Sequence, residues 1–218
     1  MDWASWLPSL LDSTLDTLYM VGVSTFFTVI LGLPLGILLV ITADRGLSPY
    51  PLFNQIAGAI VNAARSLPFI ILLVVIIPLT RLIVGTTIGA TAAIVPLSLA
   101  AIPFFARIAE TSLREVDKGL VEAAQAVGCT NQQIITKVLI PESLPSLILG
   151  ITITIISLIS YSAMAGAIGG GGLGDLAIRY GYQRFETDVM VVTVVLLIIL
   201  VQGIQVLGNR IAQRVSKR

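Results

Sequence analysis

Residues 17–41 read TLYMVGVSTFFTVILGLPLGILLVI, without one Asp, Glu, Lys, Arg or His. A helix needs about 20 mostly apolar residues to cross a bilayer. This run is long enough, and it is continuous. The strands of a membrane barrel alternate apolar and polar over roughly 10 residues, so a helix is favoured. Further apolar runs lie at about 58–79, 88–105, 144–165 and 189–207. The chain therefore reads as one all-α membrane domain, residues 1–218, with five transmembrane helices. Composition agrees. The chain is 56% hydrophobic and 11% charged, and its mean hydropathy is +0.98. A soluble domain carries about 25% charged residues, so a soluble globule is excluded, and the apolar content excludes a disordered chain.

The scarce polar residues narrow the chemistry. A net charge of +1 gives no reason to expect nucleic acid as a partner. One Cys forms no internal disulfide framework, and the absence of His removes the usual metal ligand and general base. No G-x-x-x-x-G-K-[ST] phosphate loop is present. The chain is expected to be no enzyme and to hold no metal or cofactor.

Punctuation within the runs suggests packed helices. Pro34, Pro68, Pro78, Pro96 and Pro103 interrupt them, and membrane helices tolerate proline where neighbours re-satisfy the backbone. Gly32-x-x-x-Gly36 has the spacing of a close helix contact, although glycine is also frequent in such helices by chance. Arg65 lies inside the second run. A charge within a span is a functional-site candidate, here a pathway residue with Pro68. The alternatives are a short span starting near Ser66 and an arginine that snorkels.

Basic residues favour the cytoplasmic side. Three acids and no Lys or Arg precede the first run. Arg45 follows it. Arg107, Arg114, Lys118 and Lys137 lie between the third and fourth runs, and Arg210, Arg214, Lys217 and Arg218 in the tail. The consistent solution puts the N-terminus outside, and the 107–142 loop and the C-terminus inside. Trp3 and Trp6 would then sit in the outer aromatic belt.

That loop holds nine of the 25 charged residues. It also carries helix signals. Ser112-x-x-Glu115 and Thr130-x-x-Gln133 fit the capping box. Asp117 can cap a helix whose stripe is Leu120, Val121, Ala124 and Val127, and Gly128 stands where a left-handed residue ends a helix. A second short helix is expected over about 131–139, stopped by Pro141. The bland alternative is an ordinary solvated loop with a helix in it. Paired short helices against the membrane would also pass a partner's movement into the bundle.

Glu122-Ala123-Ala124, three residues, Gly128, nine residues, then Val138-Leu139-Ile140-Pro141 resembles the EAA loop of ABC importer permeases with the type I fold. Val138 and Ile140 replace the Ile and Leu often found there, a change conservative in shape. The stretches Arg65–Leu73, Pro78–Thr86 and Tyr161–Met164, with the glycine run after them, are most similar to methionine-uptake permeases. The resemblance implies a coupling loop that docks in a groove of an ATPase subunit, with Glu122, Ala123, Ala124, Gly128 and Pro141 at the contact. It implies a bacterial cytoplasmic (inner) membrane location, two copies of the chain around one pathway, and two ATP-binding subunits that hold ATP and Mg. An external substrate-binding lipoprotein would dock near Arg81–Gly85 and Gly166–Arg184. Cys129 keeps only a packing role.

The end of the fourth run supplies the gate candidates Ser160, Tyr161, Ser162 and Met164. Hydroxyls there face a polar pathway or bond neighbouring helices, and methionine is a flexible gap filler suited to a seal. Ordinary packing is the other reading. Gly169-x-Gly171-x-x-Gly174 matches a dinucleotide fingerprint in form only, since it follows a membrane run rather than a strand. A closely packed turn fits better.

Other transport and enzyme classes fit less well. A proton-coupled carrier generally uses acids or His within its spans, and these runs have none. A sodium-coupled carrier escapes that objection but usually shows internal repeats, which are absent. An ABC permease for another solute remains open. Five spans are few to enclose a pathway, and a two-fold dimer supplies ten.

Overall fold

The computed structural model describes residues 3–216, with side chains from Trp6 onward. Asp2, Lys217, Arg218 and the Trp3 side chain, on which parts of the orientation and belt expectations rest, lie outside the described residues. All regular elements described are helical. Four helices or continuous helical stretches are long and apolar enough to cross a membrane, and a bent pair makes a fifth candidate.

The first helix, α1, runs Trp3–Ile41 and includes Pro34 without ending. At about 1.5 Å per residue it measures about 58 Å, well beyond a bilayer core of about 30 Å, so it overhangs the apolar run of 17–41. The second apolar run is not one straight helix. It folds as α2 (Pro51–Ser66), α3 (Phe69–Val75) and α4 (Ile77–Val84), with α2 and α3 bent by 100°. Leu67 and Pro68 are extended at the break. Pro68 disfavours helical geometry in the residue before it, which fixes the corner there. Pro78 likewise stands at the start of α4, where a missing N–H costs nothing.

α5 spans Ala90–Arg114 and passes through Pro96 and Pro103. It runs parallel to α1 and touches it closely through the small-residue motif. A Cβ on Gly32 would lie 3.0 Å from Phe105 Cδ1, and one on Gly36 would lie 2.7 Å from the Ala106 carbonyl oxygen. Only glycine lets the two backbones approach this far. Leu97, Ala101, Phe105, Ala106 and Ala109 are almost fully buried on the inner face of α5.

The loop after α5 contains α6 (Lys118–Ala126) and α7 (Asn131–Ile134). Helix then continues through a π turn, Ile135–Leu139, into α8, Ile140–Gly166. Pro141 therefore does not stop the helix. Proline removes one N–H and crowds the carbonyl four residues back. The wider π turn, with Ile140 N–H bonded to Ile135 O, relieves that conflict. α8 is antiparallel to α5, with Gly150 against Ile108 and Ser146 Oγ 2.9 Å from Ser112 Oγ. Ser112 thus lies inside α5 and makes an inter-helix contact; it is not the predicted cap.

A short helix, α9 (Gly172–Leu176), a second π turn (Ala177–Tyr182) and the last helix, α10 (Thr187–Val215), complete the chain. α10 returns beside α8, with Gly208 against Thr152. One end of the bundle gathers the end of α5, the α6–α7 loop and the start of α8. The opposite end gathers Gly89, the glycine turn and α9.

Candidate functional site

The loop end is built by local capping. Asp117 accepts from Gly119 N–H at 2.7 Å and starts α6. Thr130 and Gln133 form both halves of the predicted capping box. Gly128 is left-handed, with φ +80°. The α6 stripe divides: Val121 and Ala124 pack on a small core of Leu113, Ile134 and Leu139, whereas Leu120 and Val127 are exposed. Cys129 packs against the same core. Asn131 Nδ2 donates to Ser48 Oγ at 2.9 Å, tying the loop to the α1–α2 connection.

α6 has no buried residue. Glu122, Ala123 and Gly128 are exposed, and Ala124 is half-buried. Glu122 and Gln125 line a cleft of about 890 Å³ that separates α6 from the α1–α2 connection, with Asp44, Arg45 and Lys118 also on its walls. The result is a helix held at both ends by its caps, with its outer face free for a partner. Pro141 is exposed on the continuing helix.

Arg65 stands exposed in the last turn of α2. A cation there is favoured by the helix dipole. It precedes the corner at Leu67–Pro68 rather than lying in the middle of a straight span. Pro68 is exposed at the corner, and Phe69 after it stacks on Tyr161 at 4.7 Å between ring centroids.

The gate candidates separate. Ser160 and Met164 line an open cavity of about 630 Å³ with Ile70, Ile159 and Gln202. Ser162 is buried and donates to Ile159 O at 2.8 Å. It does not reach the cavity, because α8 turns it into the bundle and its hydroxyl is spent on its own backbone. Tyr161 is half-buried under Phe69.

At the opposite end the glycine run is a close-packed turn. A Cβ on Gly166 would lie 2.8 Å from Gly174 C, and one on Gly174 would meet the Ala163 backbone. Thr17 Oγ1 accepts from Leu173 N–H at 2.9 Å. Gly89 N–H donates to Gly169 O at 2.8 Å, which brings the segment after Gly85 against the glycine run. Trp6 meets Tyr180 edge-on at 4.9 Å, and Arg184 lies 4.6 Å over the same ring. Hydrogen bonding to Asp175 raises the pKa of Arg179 above its usual value, so its charge is constant at any working pH.

Two features escape sequence reasoning. Phe185, 84% exposed, has φ +58°, a rare backbone state for a bulky residue. Glu110, 8% exposed, is held between Arg107 and Arg114. The i+3 and i+4 spacing of those three is the signal that could have found it.

The sequence matches the family described as "Binding-protein-dependent transport system inner membrane component" over residues 11–218. The "Probable D-methionine transport system permease protein MetI" of Vibrio cholerae is 55% identical over 209 residues, covering 96% of this chain and 93% of that one. The "Methionine import system permease protein MetP" of Bacillus subtilis is 45% identical over 212 residues, covering 97% and 96%. A solved structure described as "Inward facing conformations of the MetNI methionine ABC transporter" superposes with a TM-score of 0.96 at 48% identity, covering 98% of this chain and 99% of that one.

Proposed function

The chain belongs to the family of binding-protein-dependent transport system inner membrane components, and we propose that it is the membrane-spanning subunit of an ATP-driven methionine importer. The observation that carries the coupling part of this reading is α6, a helix capped by Asp117 and ended at Gly128, with no buried residue. Val121 and Ala124 anchor its inner face while Glu122 and Ala123 stay exposed, an arrangement that suits an element on which a partner docks. Kinship to methionine permeases at 45–55% identity over nearly the whole chain supports the substrate.

In this reading two copies of the chain enclose the pathway, and two ATP-binding subunits sit on the α6–α7 loops, with Glu122, Ala123, Ala124 and Gly128 at the contact. ATP and Mg²⁺ belong to those subunits. Pro141 acts only through the π turn that joins the loop to α8. The loop end carries Arg45, Arg107, Arg114, Lys118 and Lys137 and faces the cytoplasm. The N-terminus is then outside and the C-terminus inside. An external substrate-binding lipoprotein delivers methionine to the opposite end, around Arg81–Gly85 and Gly166–Arg184.

Closure of the ATP-binding subunits displaces α6. The rigid α7–α8 stretch and the end of α5 carry that displacement towards Met164, which seals the cavity beside Ser160 from a flexible side chain. Tyr161 and Pro68 hold the seal's surroundings, and Arg65 stands beside the pathway just before the corner at Leu67–Pro68.

The test is uptake of labelled methionine into vesicles holding this chain with its ATP-binding subunits. Uptake should require ATP on the loop side and the binding protein on the other. ATP-independent uptake, or uptake of other amino acids in preference, rejects the reading. Met164→Gly is expected to leak substrate or uncouple ATP hydrolysis; unchanged coupling in the same vesicles rejects the gate role.

A further inference from the structure

A nearly buried carboxylate is costly unless it is paired. Glu110 is paired twice. Arg107 Nη1 donates to its Oε2 at 2.5 Å, and Arg114 donates to its Oε1 from Nη2 at 2.8 Å and Nε at 3.1 Å. All three residues belong to α5, so these pairs alone join α5 to nothing. The second arm of Arg107 reaches further. Its Nη2 donates to the carbonyl oxygen of Gly58 in α2 at 2.9 Å.

That bond depends on a planar group with several donors, which can satisfy a carboxylate and a carbonyl together. It also depends on glycine. A Cβ on Gly58 would stand 3.2 Å from Arg107 Nη2, within the space the guanidinium uses. α2 otherwise has few anchors. Val61 is its one buried residue, and Asn54 Nδ2 bonds Leu39 O at 2.7 Å and Thr42 Oγ1 at 2.9 Å. α2 is therefore fixed along its first three turns. Its far end turns the corner into α3, where Phe69 stacks on Tyr161, three residues before Met164.

We propose that Arg107, held by Glu110, is a positioning residue that links the loop end of α5 through Gly58 to α2, and so to α3 and the seal at Met164. The proposal rests on the importer reading above. The α7–α8 stretch is one route from the loop to the seal; the Arg107–Gly58 bond makes a second one, through the broken span.

Two variants keep a charge beside Glu110 and break the bridge between Glu110 and Gly58. Arg107→Lys supplies an ammonium that cannot hold a planar fork across both acceptors. Gly58→Leu fills the space Nη2 enters, and leucine is the better helix former, so α2 itself is not weakened. Each is reconstituted with the ATP-binding subunits in vesicles, and hydrolysis, methionine uptake and subunit co-purification are measured together. Expected are hydrolysis and co-purification close to the parent, with methionine imported per ATP lowered about tenfold, in the range such links carry. Unchanged import per ATP overturns the proposal, whether both rates hold or both fall together as a merely structural role requires. A parent transporter that imports no methionine with ATP overturns the importer reading, and the link falls with it.

Discussion

The two ends of the bundle are held together by different physics. At the loop end, apart from the close α1–α5 approach at Gly36, contacts run through side chains: Asn131 to Ser48, Arg107 to Gly58, and Ser112 to Ser146. At the glycine end, backbones touch, as at Gly166 and Gly174. Hydrogen bonds at half-exposed sites can break and re-form in new partnerships. A backbone packed against a backbone has one arrangement, because close-packed interiors do not deform continuously. The loop end is thus suited to motion and the glycine end to a fixed platform. That division is what a transporter driven from one side requires.

The fixed platform is most vulnerable at Gly174. A Cβ there would meet the Ala163 backbone, which cannot rotate away. Gly174→Ala is expected to destabilise by about 3 kcal/mol, the upper range for overpacking, read as a lower melting temperature in detergent. A melting point equal to the parent's would show that the platform is not rigid.

Glu122→Lys tests the other end. The residue is exposed, so the fold should melt unchanged. Reversing one charge at a docking surface is expected to weaken binding of the ATP-binding subunit by about 2 kcal/mol, roughly thirtyfold. Titration of that subunit onto the reconstituted chain measures it, and normal co-purification with normal transport would remove Glu122 from the contact.

Gly128→Ala gives the smallest effect. No atom lies within 4 Å of the added Cβ, so only the positive φ is penalised. A cost of about 1 kcal/mol is expected, confined to the α6–α7 turn. Hydrogen exchange should rise in Lys118–Ala126 and not in α9. Protection lost at both ends would mean that the two regions are one cooperative unit.

Much of the loop is legible in the order of its residues. Asp117, Thr130, Gln133 and Gly128 act on groups close to themselves in the chain, so their spacing is sufficient to read them. The glycine turn is readable for the same reason, since its crowding follows from small residues in close succession. Pro141 misleads, because proline reads as a stop in an α-helix and the π turn before it removes the conflict. The burial of Ser162 is not legible, because a hydroxyl in a span does not announce which way the helix turns it. Leu67–Pro68 is marked by proline, but its 100° angle depends on α2 lying on α5 and Phe69 on Tyr161.

Hydropathy and neighbours in the chain are enough to establish that this protein lives in a membrane, which runs enter it, and where a capped loop gathers the charge. They leave open that α1 and α5 lie parallel and in contact, that the second span is broken, and that Arg107 reaches Gly58 across 49 residues. Those features were decided by tertiary packing, because they depend on which helix faces come together. A helix of apolar residues carries little information about its own rotation, since lipid and protein are equally good surroundings for most of its surface.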